Sequence, residues 1–174
     1  MEERLKPLLV FIQDLVKFAE AKNAVLVAFN GGAILGVLKF IGDNTCLNEY
    51  VVYYLWTFVF FAACGLVVSL LSFLPRVKIL WVGCTGEPQA TDNLILFSDI
   101  CKYEVNQYLR ALYLADDKPS AKYTDFDKLY ANQVIVNARI AMRKYTFFRK
   151  ALWCTIAAVL TPVVGLILLC LLED

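Results

Sequence analysis

A run of basic side chains near the end of the chain is the feature best suited to bind a ligand. Five basic residues fall within twelve positions, from Arg139 to Lys150. Arg139, Arg143 and Lys144 can hold a phosphate group by charge-assisted hydrogen bonds, and Tyr103, Tyr108 or Tyr130 can stack on a base. The alternative interpretation is a structural polar network with a basic collar that faces a membrane.

Three amide side chains, Asn93, Gln133 and Asn137, fall at positions predicted to be interior in the same part of the chain. A packed helical face rarely carries amides and a guanidinium unless they bind each other or a ligand. We therefore group these amides with Arg139, Arg143 and Lys144 in one predicted ligand site.

No signature of catalysis or metal binding is present. The chain has no histidine, and its six cysteines form no Cys-x-x-Cys pair. It also lacks a glycine-rich phosphate loop, a nucleophile elbow and an HExxH motif. We expect no enzyme activity, no metal site and no cofactor.

The elements that position these residues are predicted to be membrane helices. Hydrophobic residues make up 60% of the chain, and the most apolar stretches are 24–40, 51–74 and 151–172. A helix of about 20 apolar residues crosses a bilayer core of about 30 Å. The alternative, three buried core helices, needs more polar helix to cover them than the remaining residues supply. We predict an all-α membrane protein with three transmembrane helices and a cytoplasmic helical bundle.

The distribution of charge predicts the orientation. Residues 76–150 carry twelve Lys or Arg against eight Asp or Glu, and basic residues stay on the cytoplasmic side of spanning helices. The amino terminus is then cytoplasmic and the carboxyl terminus outside. The predicted parts are an amphipathic cytoplasmic helix (1–23), a transmembrane hairpin (24–74), a cytoplasmic helical region (75–150), and a third span with a short outer tail (151–174).

Helical periodicity predicts further detail in the cytoplasmic parts. Residues 2–23 carry one apolar face and lead directly into the first span. A helix is predicted at 94–114, capped by Asp92 or Asn93, and another from 125, capped by Thr124 or Asp125. No break separates this last helix from the third span, so 125–172 can be continuous, with a kink at Pro162. Its packed face is predicted to include Phe126, Leu129, Gln133 and Asn137.

The first span contains small residues four positions apart, at Ala28, Gly32 and Gly36. This spacing lets two membrane helices approach closely. It favours either an oligomer contact or packing onto the second span. Asn30, in the same stretch, needs a polar partner in hydrocarbon, and both a hydrogen bond within the chain and a contact in a pore remain open.

Three motifs resemble those of the Pycsar-type transmembrane effectors of bacterial antiphage defence. They are "EAKNAVLVAFNGGAILG" at 20–36, with Asn23 where the family has alanine, "NLILFSDI" at 93–100, and "QVIVNARIAMRKYTFFRKAL" at 133–152. They stand in the family's order. The positions that match its motifs are Lys22, Asn30, Asn93, Phe97, Gln133, Asn137, Lys144 and Tyr145, without individual roles.

The resemblance implies a function as well as a fold. It implies a bacterial inner-membrane protein that responds to a cyclic nucleotide, with a cyclic pyrimidine monophosphate expected, made by a partner nucleotide cyclase during phage infection. The expected output is loss of membrane integrity by a homo-oligomer in the lipid bilayer, with no nucleic-acid polymer as partner. Two alternatives stay open: a constitutive membrane scaffold or adaptor, and a small channel that no nucleotide gates.

Overall fold

Helices form every regular element in the described part of the chain. The computed structural model describes residues 2–44, 47–74, 84, 86–116 and 123–172. The helices are α1 (Glu2–Asp43), α2 (Glu49–Phe73), α3 (Phe97–Ile100), α4 (Val105–Ala115) and α5 (Asp125–Leu172). The predicted loops at 75–83 and 117–122 and the tail at 173–174 lie outside the described residues.

Three of these helices, α1, α2 and α5, are long and apolar enough to cross a membrane. The all-α membrane fold with three spans is therefore confirmed. The 42 residues of α1 join the amphipathic segment to the first span without a break, and the 48 residues of α5 do the same for the last. Pro162 lies inside α5, and the kink there stays a prediction.

The chain packs as two compact units. The first unit comprises residues 1–19 and 75–146, and the second comprises residues 20–74 and 147–174. Helices α1 and α5 each contribute residues to both units. The placement of the membrane boundaries at residues 23, 74 and 150 stays a prediction.

The first unit has an ordinary hydrophobic core. Its central members are buried and come from α1, α4 and α5: Leu5, Ile12, Tyr108, Leu109, Val134 and Ile135. The predicted apolar face of residues 2–23 is confirmed, since Leu5, Ile12 and Ala19 are all buried. Thr124 caps α5, because its hydroxyl accepts from the Asp127 N–H at 3.1 Å while Asp127 accepts from the Thr124 N–H at 3.0 Å.

The single helix predicted at 94–114 is wrong. A turn separates α3 from α4, because the Glu104 N–H donates to the Gln107 side chain at 3.3 Å and starts a new helix there. The carbonyls of Cys101 and Tyr103, released from helical bonding in this turn, accept instead from the guanidinium of Arg139 on α5 at 3.2 and 3.1 Å.

Three residues of the face predicted for α5 are exposed. Phe126 and Leu129 are 65% and 62% exposed, and Gln133 is exposed. The buried side chains on this part of α5 include small ones, which let neighbouring helices approach: Ala131, Val134, Ile135, Ala138 and Ala141. Periodicity alone could not choose this face because the apolar residues at 126–148 surround much of the helix.

Candidate functional site

The second unit is packed around small and polar side chains. We call this set the polar seam: Asn23 and Asn30 on α1, Gly65, Ser69 and Ser72 on α2, and Thr155 on α5, all buried. Large apolar side chains such as Phe60 and Trp153 are 63% and 66% exposed. This distribution suits a unit whose outer surface meets lipid and whose helices associate through close packing and hydrogen bonds.

Asn30 and Thr155 form the centre of the polar seam. The Asn30 amide donates to the Thr155 hydroxyl at 2.9 Å, and that hydroxyl lies 3.0 Å from the Ala151 carbonyl, to which it donates. Gly65 of α2 faces this pair, and a Cβ built on Gly65 would lie 3.2 Å from both Asn30 Nδ2 and Thr155 Oγ1. Only glycine therefore fits here without displacing a neighbour.

Ser69 extends the polar seam one turn along α2 from Gly65. Its side chain is fully buried, and its hydroxyl makes no hydrogen bond within the part of the chain that the structure describes. Buried hydroxyls normally have a partner, and polar groups inside membrane segments commonly mark a functional pathway. The polar seam therefore provides a line of hydrogen-bonding groups between three apolar helices.

The structure separates the residues predicted for a membrane-helix interface into two faces. Asn30 points into the second unit, whereas Ala28, Gly32 and Gly36 are exposed. A Cβ built on Gly32 or Gly36 meets nothing within 4 Å. Gly31, in contrast, faces Leu66 of α2, 3.7 Å from its built Cβ. The packing of α2 onto α1 thus uses Gly31, and no described residue covers the Ala28, Gly32 and Gly36 face.

Arg139 has a structural position in the first unit. Its guanidinium donates to the carbonyls of Cys101 and Tyr103 and lies 3.4 Å from the Glu104 carboxylate. The side chain is only 19% exposed. These contacts join the α3–α4 turn to α5, so they occupy much of the guanidinium that the sequence suggested for a phosphate.

Two of the other predicted ligand residues make local hydrogen bonds. Asn137 donates to the Gln133 carbonyl one turn earlier on α5 at 2.8 Å. Asn93 lies before α3, where its side chain accepts from the Ile95 N–H at 3.0 Å. Arg143 and Lys144 are half-buried on α5. Ligand binding by these residues stays a prediction.

Two contacts involve motif positions whose roles the sequence left open. Phe97 and Tyr145 stack with ring centroids 5.2 Å apart in the first unit. Lys22 lies 5.4 Å from the centroid of the Phe148 ring in the second unit. Both contacts fasten α5 to another element, so these positions have a packing role.

A cavity that sequence reasoning missed lies between the loop at 88–94 and α4. Its volume is about 790 Å³, and Arg110 and Gln107 of α4 line it. The periodic pattern of residues 101–110 does not predict this cavity. Its other wall is an irregular loop, and a loop has no periodic pattern from which its position can be predicted. The cavity is a second place in the first unit where a ligand can fit.

Ionic contacts fix the loop that forms one side of this cavity. Lys102 Nζ lies 2.9 Å from carboxylate oxygens of both Asp92 and Asp99. The Gln89 N–H and then the Lys102 ammonium hold the pKa of Asp92 below its usual value. Tyr103 donates to the Gln89 carbonyl at 3.0 Å, and burial raises the pKa of its phenol.

A disulfide also belongs to the first unit. It joins Cys84 to Cys101, whose Cα atoms are 5.8 Å apart. Among the residues for which coordinates are described, no group of three or more His, Cys, Asp or Glu side chains could hold a metal ion.

Comparison with known proteins identifies the family of this chain. The sequence profile of the Pycsar effector protein domain matches residues 4–171. The chain belongs to this family. The Pycsar effector protein RsPycTM of a Rhizobium species is 34% identical over 144 residues, which cover 79% of this chain and 78% of the relative. No solved structure matches the chain.

Membership confirms the family indicated by the sequence motifs. This Pycsar effector is a membrane protein of antiphage defence, with spanning helices that supply its polar seam.

Proposed function

We propose that this Pycsar effector responds to a cyclic nucleotide messenger by impairing the integrity of the inner membrane. A nucleotide cyclase supplies the messenger during phage infection, and a cyclic pyrimidine monophosphate is the messenger that the family resemblance favours. The spans act as a homo-oligomer in the lipid bilayer. The chain itself catalyses no reaction in this account, because the damage comes from rearrangement of its membrane helices.

The polar seam is the observation that carries this proposal. A membrane helix bundle that serves only as an anchor can be packed with apolar side chains. Here the buried positions between α1, α2 and α5 hold Asn30, Thr155 and the unbonded hydroxyl of Ser69. If the helices separate, these groups become available to water or to the same groups of another chain, and a hydrated path can form.

The exposed small-residue face supports assembly. Ala28, Gly32 and Gly36 leave a shallow surface on α1 where another helix can approach closely. Because this face is separate from the polar seam, subunits can associate through it while the seam remains closed. Opening the seams of an assembled oligomer then gives a lesion larger than a single chain can form.

Messenger binding must favour the open arrangement to drive this change. A ligand shifts an equilibrium only by the difference in its affinity for the two states. Because α1 and α5 contribute residues to both units, a ligand that repacks the first unit acts on helices that also form the polar seam.

The proposed orientation has a cytoplasmic amino terminus and an outer carboxyl terminus. The basic residues at 76–150 favour this arrangement. The reverse orientation, with an outer amino terminus and a cytoplasmic carboxyl terminus, is the alternative. Alkaline phosphatase fused after Asp174 decides between them: an active fusion supports the proposed orientation, and an inactive one with an active fusion at the amino terminus overturns it.

Dye release from liposomes tests the proposal. Full-length protein is reconstituted with a self-quenched dye, and cyclic mononucleotides of all four bases and a cyclic dinucleotide are added separately. Release with a cyclic pyrimidine mononucleotide supports the proposed function. Release that needs no nucleotide favours an ungated channel, and silence from folded, inserted protein favours a scaffold or adaptor.

A further inference from the structure

The cavity beside α4 is large enough to bind a small anion, and its positive charge lies on the wall formed by α4. Its volume of about 790 Å³ exceeds that of a mononucleotide, and it opens to the surface of the first unit. One wall is the loop at 88–94, which the ion pairs of Lys102 hold in place. The other wall is α4, which presents Gln107, Arg110, Ala111 and Leu114.

Arg110 supplies the positive charge of this cavity. It is the one cation among the lining residues, it is exposed, and it makes no hydrogen bond or ion pair within the described ranges. The carboxylate of Asp92, which also lines the cavity, is paired with Lys102 at 2.9 Å. The charge of Arg110 is therefore the one available to a ligand, and a guanidinium forms paired hydrogen bonds with phosphate oxygens.

The remaining walls suit a nucleoside. Gln107 uses its side-chain oxygen to accept from the Glu104 N–H, which leaves its NH₂ group able to donate to a base or sugar oxygen. Leu94, Ala111 and Leu114 provide an apolar surface for a flat ring. A few polar groups that fix orientation within a mainly apolar surface are typical of small-molecule sites.

We infer that this cavity binds the messenger as a cyclic mononucleotide, with Arg110 on its phosphodiester and the apolar wall of α4 against its base. The inference rests on the proposed function for the identity of the ligand. A cyclic mononucleotide carries one negative charge, which Arg110 alone can neutralise. A cyclic dinucleotide carries two, so one phosphodiester would be left without a cationic partner in the cavity.

A ligand in the cavity can affect α5, because α4 contacts α5 directly. Glu104, the N-cap residue of α4, lies 3.4 Å from Arg139 of α5, and Arg139 also donates to the carbonyls of the α3–α4 turn. A ligand that pulls α4 toward the loop at 88–94 therefore acts on α5 through contacts within the first unit.

Isothermal titration of the full-length protein in detergent, with the four cyclic mononucleotides and the cyclic dinucleotide as probes, tests this site. Arg110→Gln removes the charge and keeps an amide. Ala115→Trp fills the cavity from an exposed position on its wall. Arg110→Gln should weaken binding of one cyclic mononucleotide about tenfold or more, the effect of losing a hydrogen bond to a charged group. Ala115→Trp should weaken the same binding because the indole takes the space of the ligand. Lys128→Gln, which removes an exposed charge elsewhere in the same unit, should bind normally.

Arg143→Gln separates this site from the basic run on α5. Wild-type affinity in both Arg110→Gln and Ala115→Trp, with binding lost in Arg143→Gln, overturns the cavity assignment and leaves the proposed function intact. Binding of no probe by folded wild-type protein overturns both. Normal folding of the two cavity variants, shown by an unchanged circular dichroism melt, ensures that weaker binding reports on the cavity.

Discussion

The side chains of Asn30 and Thr155 meet 2.9 Å apart inside the second unit, which joins the first and third spans by a buried hydrogen bond. Their positions are 125 residues apart in sequence. In this arrangement the partner of Asn30 is a side chain of the same chain. Replacing either residue should therefore change the stability of the closed polar seam.

Replacing Thr155 by valine should destabilise the closed seam. Valine keeps the branched shape but removes the hydroxyl, so the Asn30 amide loses its partner in an apolar setting. We expect a loss of about 0.6–2 kcal/mol in unfolding free energy, the range measured for hydrogen bonds between membrane helices. Thermal unfolding in detergent measures this loss, and nucleotide-independent dye leakage from liposomes should rise with it.

Thr161→Val is the matched control for this change. Among the described residues, the Thr161 hydroxyl donates only to the Ala157 carbonyl of its own helix, at 2.7 Å. Its loss therefore leaves no described group on another helix without a partner. Equal destabilisation by Thr155→Val and Thr161→Val would contradict the role assigned to the Asn30–Thr155 bond.

Replacing Gly32 by leucine should weaken assembly and leave the single chain folded. The position is open in the described part of the chain, because a Cβ built there meets none of its atoms within 4 Å. A leucine would hold a second helix away from the Ala28, Gly32 and Gly36 face. Chemical cross-linking in native membranes should show a smaller oligomer fraction. Gly42→Leu, also in open space but in the last turn of α1, should assemble normally, and an equal effect of both would contradict this face.

Replacing Arg139 by lysine tests its structural role. Lysine keeps the positive charge but cannot donate to the Cys101 and Tyr103 carbonyls in the same paired geometry. We expect a loss of about 1–3 kcal/mol in stability, the cost of leaving buried acceptors without donors. Arg149→Lys, at an exposed site, should have little effect. If Arg139→Lys keeps full stability but binds nucleotide more weakly, Arg139 has a ligand-binding role instead of a structural one.

Acid should destabilise the loop that lines the cavity, with Asp92 responsible. Its pKa is lowered in the folded protein by the Gln89 N–H and by Lys102. Its ionised form therefore stabilises folding above the unfolded pKa of about 3.9, and this contribution is lost as pH falls through the lower folded value. Thermal midpoints should fall less steeply below about pH 4 in Asp92→Asn than in wild type.

Asp125→Asn is the control for the acid effect. The Asp125 side chain is 95% exposed in its ion pair with Lys128, so its removal should leave the pH profile unchanged. A wild-type profile in Asp92→Asn would show that Asp92 does not govern the acid response.

The parts of the fold that the sequence predicted depend on local patterns. Continuous apolar runs predicted the spans, and the spacing of Leu5, Ile12 and Ala19 predicted the buried face of α1. The absence of a break predicted the continuous α5, and Thr124 with Asp127 forms a local capping pair. Each signal lies within a few turns of one helix, where sequence spacing determines spatial proximity.

The parts that could not be predicted depend on contacts between distant segments. Arg139 meets the carbonyls of residues 36 and 38 positions away, and nothing in its own helix indicates those partners. Gly31 and Gly32 are neighbours with similar sequence surroundings, yet one faces Leu66 and the other faces outward. The cavity beside Arg110 likewise exists only because an irregular loop folds over α4.

Dye release from liposomes that contain wild-type protein and Arg110→Gln, each titrated with cyclic mononucleotides, tests the central claim most directly. We expect release from wild type with one cyclic mononucleotide, and a shift to about tenfold higher nucleotide concentration or more for Arg110→Gln. No release from folded, inserted wild-type protein with any nucleotide would contradict it.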